Sequence, residues 1–231
     1  MNPQKTFRIA LRITLALGLA FLITWTVLQI SAPVAAGTCP TELFISEYIE
    51  GSSNYKAIEI YNGTGSDITM TGHYSVALYS NGNIVPGNTL DLTGILSSDE
   101  VFVIANASAD QGIQDEADTT SSVTFFNGND AIVLYKDGMV IDALGEVGND
   151  TSWGAEVTLV RKPNITQGDT VEDDAFDPAD EWDSYAQDTF TYLGSHTIDP
   201  CGASFSIAKT APATVAPGEV FTYTLTIENA T

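Results

Sequence analysis

The chain's 231 residues carry 30 Asp and Glu against 8 Lys and Arg, a formal net charge of −22. A groove that tracks a nucleic-acid backbone needs several clustered cations, so this composition speaks against direct nucleic-acid binding. The two histidines and two cysteines show no spacing suited to a zinc site.

In chain order, Lys5, Arg8 and Arg12 precede an uncharged apolar run over residues 13–30, and Ser31-Ala32-Pro33-Val34-Ala35-Ala36 follows it. A basic start, an apolar core and a small-residue Val34-x-Ala36 site form an export signal cut after Ala36. The run, about eighteen residues, also reaches the length that spans a bilayer as a helix. Residues 1–36 are therefore predicted to be a signal peptide or, if retained, a membrane anchor. In both readings the basic residues stay inside and the rest of the chain lies outside the cell or at its surface. Membrane contact is expected only through residues 13–30 of an uncleaved chain.

Cys39 and Cys201 bracket nearly all of the strand pattern. In an exported chain such a pair predicts one disulfide.

From Leu43 onward, apolar residues recur with period two or in short Val, Ile, Tyr and Phe runs, and Gly, Asn, Asp and Ser punctuate them every eight to twelve residues. That is the pattern of a β-sandwich or barrel. Strands are predicted over 43–49, 57–61, 74–80, 89–92, 101–105, 122–125, 131–135, 139–144 and 157–161, with no amphipathic helix after the signal. Asp137-Gly138 joins two alternating runs and predicts a tight hairpin; Asn81-Gly82 is a weaker turn signal. Between Gly168 and Asp183 acids crowd around Phe176 and Trp182, which predicts a solvated loop pinned by two aromatic anchors. After Cys201 a new unit begins. Residues 203–209 and 220–227 read as two strands, too few to bury a core alone.

Residues 43–62, Leu-Phe-Ile-Ser-Glu-Tyr-Ile-Glu-Gly-Ser-Ser-Asn-Tyr-Lys-Ala-Ile-Glu-Ile-Tyr-Asn, resemble the opening of the lamin-tail domains of secreted bacterial proteins. Thr158-Leu159-Val160-Arg161-Lys162, Phe176 to Trp182 and Leu193-Gly194-Ser195-His196-Thr197 resemble that family's closing motifs. The resemblance implies an all-β, immunoglobulin-like β-sandwich over 39–201, of a kind often placed beside extracellular nuclease, phosphatase or adhesion modules and with no catalytic activity established for the fold. Residues 203–231 are similar to the start of a repeated β-sandwich domain of bacterial surface proteins, marked by Lys209-Thr210-Ala211-Pro212 and Pro217-Gly218-Glu219. They are read as an incomplete second sandwich.

Neither His73 nor His196 sits in a constellation for nucleophilic or acid–base catalysis, so no catalytic residue is assigned. His196 is expected to satisfy a hydrogen bond near the end of the sandwich. Hard cations take carboxylate and carbonyl oxygens; Asp169, Asp173, Asp174, Asp177 and Asp180 are weak calcium candidates, and no other cofactor is expected. Arg161 is expected to pair with Asp177 or Glu181 and hold the acidic loop to the sandwich through charge-assisted hydrogen bonds. Glu47, Glu50 and Glu59 lie on or between neighbouring strands. They read as a structural network through Lys56 rather than the carboxylate pair of a glycosidase. The sequence thus points to a non-catalytic extracellular module that binds or tethers through protein or polysaccharide contact. The alternative is an accessory region of a secreted nuclease or phosphatase whose catalytic domain lies beyond residue 231.

Overall fold

A computed structural model of the protein describes residues 38–201 and the strands Ser204–Thr210 and Thr224–Ala230. The predicted signal or anchor and the Pro217-Gly218-Glu219 mark lie outside the described residues. Residues 38–199 form one compact unit, and the two late strands belong to a second.

Alternation builds the first unit. The strands β1 (Phe44–Glu50), β2 (Lys56–Tyr61), β3 (Ile68–Thr69), β4 (Tyr74–Tyr79), β5 (Asn88–Asp91), β6 (Ile95–Leu96) and β7 (Val101–Ala105) come first, followed by the helical turn α1 (Gln111–Gln114). Then come β8 (Thr119–Thr120), β9 (Ala131–Lys136), β10 (Met139–Leu144), β11 (Val157–Arg161), the helical turn α2 (Pro178–Glu181) and β12 (Trp182–Ala186). One sheet has six strands in the order β12-β11-β1-β2-β7-β8; a second has four in the order β10-β9-β4-β5; β3 and β6 form a small pair.

Side chains on successive strand residues point to opposite faces, and this assigns the core. Ile45, Tyr48, Ile58, Ile60, Ile104 and Leu159 from the larger sheet share one cluster with Val76, Leu78, Ile132, Leu134 and Leu144 from the smaller. A β-bulge between Ile45 and Glu47 lets both Ile45 and Tyr48 face this core. The intervening alternation sends Ile49, Ala57, Val103 and Ala105 to the outer face of the larger sheet, where Ile113 and Leu193 close a second cluster.

Asp137 and Gly138 both take positive φ, 50° and 77°, so the β9–β10 hairpin turns as its Asp-Gly pair dictates. Residues 122–125 are not a strand. Ser122–Thr124 is a 3-10 turn, because Ser121 accepts from the Val123 amide while the Thr124 hydroxyl donates to the Ser121 carbonyl. Such local side-chain bonds compete with a ladder. The acidic stretch is also more ordered than a pinned loop. Asp177 caps α2 and Pro178 opens it, a favourable N-terminal pair, and β12 then pairs with β11, Trp182 opposite Arg161. Trp182 is buried and Phe176 packs against the core. In the second unit β13 (Ser204–Thr210) and β14 (Thr224–Ala230) pair antiparallel, Ile207 opposite Ile227.

Candidate functional site

Polar chemistry concentrates in four places of the 38–199 unit. The deepest is an ion cluster at the end of β11. Arg161 Nη1 donates to Asp142 Oδ2 at 2.5 Å and to the Ile45 carbonyl at 3.2 Å, while Nη2 pairs with Glu181. The guanidinium also lies over the Trp182 and Phe44 rings. Burial works against its charge, but Asp142 and Glu181 more than offset this and hold Arg161 above its ordinary pKa. Asp142 is raised by its own burial, even though Arg161 and the Ile45 and Asp169 amides oppose the shift. Of the partners expected for Arg161, Glu181 is in contact, whereas Asp177 gives its carboxylate to the Ala179 amide. The second partner is Asp142, on the opposite sheet.

The second place is the outer face of the six-stranded sheet. Glu47 and Glu59 are cross-strand neighbours on β1 and β2, and both are fully buried. Glu59 accepts from the Ser46 hydroxyl and the Gly194 amide, each at 2.7 Å. Neither Glu47 oxygen has a hydrogen-bond partner among the described residues. Burial and then the Glu59 charge push the Glu47 carboxyl up to about 9. The network expected through Lys56 stops short of this pair: Lys56 pairs with Glu50 and donates to the Phe126 carbonyl.

Residues 187–199 cross this outer face. Both Asp188 oxygens take bonds from Ser52, at 2.7 Å from the amide and 2.6 Å from the hydroxyl. Thr158 donates to the Thr189 carbonyl, and Phe190 meets Tyr55 edge on. His196 packs its ring against Phe44 and Tyr61. Its Nε2 is buried without a partner among the described residues, and burial, followed by the nearby Arg161 charge, lowers its pKa to about 4. The opening and closing sequence motifs therefore touch: Glu59 receives the Gly194 amide, and Phe44 and Tyr61 receive the His196 ring.

Two surface features complete the picture. At one end His73 Nδ1 meets Asp137 Oδ1 at 2.8 Å beside a groove of about 530 Å³ that includes Thr71, Ser75, Asp91 and Thr93. At the other end, Asp130 ties the Asn81 and Asn127 amides together, the Trp153 and Gly154 amides bond the Gly128 carbonyl, and Ile84 lies against Gly148. These pinned loops leave Ile84 77%, Val85 68% and Phe125 63% exposed. Phe125 falls in the strand predicted over 122–125, and the only sequence signal for Ile84 and Val85 was an apolar pair in a turn-rich loop.

The calcium candidates do not converge. Asp169 bonds the Val171 amide, Asp177 caps α2, and Asp173, Asp174 and Asp180 are exposed. Among the described residues no group of three or more His, Cys, Asp or Glu is placed to hold a metal ion. Cys39 and Cys201 are disulfide-bonded, which fits an oxidising compartment. No described helix is long and apolar enough to cross a membrane.

Two facing sheets and a shared apolar core are those of an immunoglobulin-like β-sandwich. Residues 38–148 match the Lamin Tail Domain family, so β11, β12 and the segment that covers the outer face lie past the matched residues. No curated protein and no solved structure gives a match to the chain.

Proposed function

We propose that residues 38–199 form a non-catalytic module of an exported protein, which docks an extracellular protein through the loop end carrying Ile84, Val85 and Phe125. The observation that carries this reading is the exposure of those three side chains on loops held by the buried Asp130 carboxylate and by backbone bonds to Gly128. Apolar groups on a preorganised surface gain most when a partner removes them from water. The neighbouring Glu146 and Asp150, with Lys56 occupied by Glu50, favour a partner with basic groups around an apolar centre.

Support for the absence of catalysis is chemical. His73 is bonded to the exposed Asp137 carboxylate, His196 is enclosed by aromatic rings, and no hydrogen bond joins either imidazole to a hydroxyl or thiol among the described residues. The accessory reading, with the module beside a secreted nuclease or phosphatase, draws on the resemblance alone. The reading frame past residue 231 decides it.

The test is capture by the immobilised full chain, offered the proteins secreted by the cells that make it and, separately, their cell-wall polysaccharide. A protein held by the wild type and released by Ile84→Asp combined with Phe125→Asp is the expected result. No capture, equal capture by the variant, or retention of polysaccharide alone would overturn this assignment.

A further inference from the structure

We propose that residues 187–199 are a releasable strap over the outer face of the six-stranded sheet, closed while the Glu47 carboxyl is neutral and opened when it ionises. This inference is independent of the loop-end docking surface.

The geometry sets it up. Thr189 sits on Thr158 of β11, Gly194 on Glu59 of β2, and His196 on Phe44 of β1 and Tyr61 of β2. The segment thus spans β11, β1 and β2, and Glu47 lies in the middle of that span, paired with Val160 on one side and Glu59 on the other. Glu47 is wholly covered, yet its two oxygens bond to nothing described. A neutral carboxyl in that position costs one or two unmade hydrogen bonds; an ionised one costs far more, because a bare charge has lost its water.

Among the described residues none offers Glu47 a counter-charge. Glu59 faces it from β2, and Tyr185 of β12 feels its charge. Asp183, opposite Val160, extends the same row. From the turn after α1 comes Glu116, whose carboxylate abuts Gly194 and acts on Glu59. From the strap come Tyr192, stacked on Tyr185, then His196, and Asp188 at the Ser52 clamp. Lys56 is committed to Glu50, and Arg161 to Asp142 and Glu181.

An ionised Glu47 regains water most directly if the strap lifts, because the opposite side is the sheet itself. Among the described residues the strap is held by the Ser52–Asp188 clamp, the Thr158–Thr189 bond, the Gly194 and Ser195 amides on Glu59, Asp199 N to the Pro163 carbonyl at 2.7 Å, and the buried Leu193 side chain. Segments with few contacts open locally while a core stays closed. Lifting it withdraws Leu193 from the cluster of Ile49, Ala57, Val103 and Ala105, which Ile113 of α1 continues to contact. The sign follows from burial. Glu47 is raised in the folded state, so its stabilising effect is complete below the unfolded carboxylate range and is lost as pH rises through about 9.

Hydrogen exchange of the full chain at pH 7 and pH 10, normalised for intrinsic amide rates, reads the strap directly. The peptide covering 187–199 is expected to lose at least tenfold in protection at pH 10 while β4 and β9 keep theirs, and Glu47→Gln is expected to hold the strap at both values. Unchanged protection of the wild-type strap at pH 10, or equal loss in Glu47→Gln, overturns the proposal. Should Glu47→Gln fail to fold, carboxyl ¹³C titration of the wild type decides. A Glu47 resonance that moves together with strap release supports the device, and one that titrates in the ordinary carboxylate range refutes it.

Discussion

Arg161 joins three parts of the unit that are distant in sequence: Asp142 on the smaller sheet, Ile45 on β1 and Glu181 at the end of α2. Its side chain and that of Asp142 are fully buried, while the Glu181 side chain is 37% exposed. The partners therefore differ in what they contribute. Arg161→Met leaves Asp142 as a buried carboxylate with only the Ile45 and Asp169 amides, and loss of one partner of a buried pair costs about 3–5 kcal/mol. Glu181→Gln removes a half-exposed charge whose interaction water screens, worth about 0–1 kcal/mol. Urea unfolding of both variants should show this ordering. Equal losses would mean that Asp142 is not the principal partner. That Arg161 would be ion-paired was legible from a cation at the end of an apolar strand in a chain with so few cations. That Asp142 would be its partner was not, because nothing in a sequence tells which residue of a facing sheet arrives opposite.

At the scale of elements, turns and strands were readable wherever local chemistry decides them. Asp137-Gly138 could adopt its positive φ angles in isolation, whereas the register that the alternating runs around it suggest is broken by a β-bulge between Val140 and Asp142. Residues 122–125 misled because apolar β-branched composition was outweighed by hydroxyl-to-backbone bonds from Ser121 and Thr124. β12 was hidden because its ladder on β11 supplies the order that its acidic, weakly alternating sequence lacks. The loop end depends on tertiary fit in the same way. Gly128 has φ 89°, and a Cβ there would come within 2.3 Å of the Ala155 amide nitrogen, whereas Gly138 has φ 77° with open space around it. Gly138→Ala should cost about 1 kcal/mol of backbone strain alone. Gly128→Ala adds displacement of the 145–155 loop, for a total of about 2–4 kcal/mol. Thermal melting separates the two, and similar shifts would show that the contact between these loops contributes nothing.

At the scale of the molecule, 30 acids face 8 bases, and such an imbalance works against any compact state through self-repulsion. The sandwich core counters it, as does the disulfide at Cys39 and Cys201, whose residues bracket the whole first unit. A cross-link closing a loop of that length restricts the unfolded chain by about 3–5 kcal/mol. Salt acts on a different quantity: it screens repulsion between exposed carboxylates beyond roughly 10 Å at 0.1 M, and leaves buried pairs such as Arg161–Asp142 nearly untouched. The two effects should therefore be separable. Reduction should lower the melting temperature at every ionic strength. Raising sodium chloride from low to molar concentration should lift the oxidised and reduced proteins by similar amounts, because screening does not depend on the cross-link. If salt restored the reduced protein to the oxidised melting temperature, the disulfide would be acting by holding charged surfaces together rather than by limiting the unfolded chain.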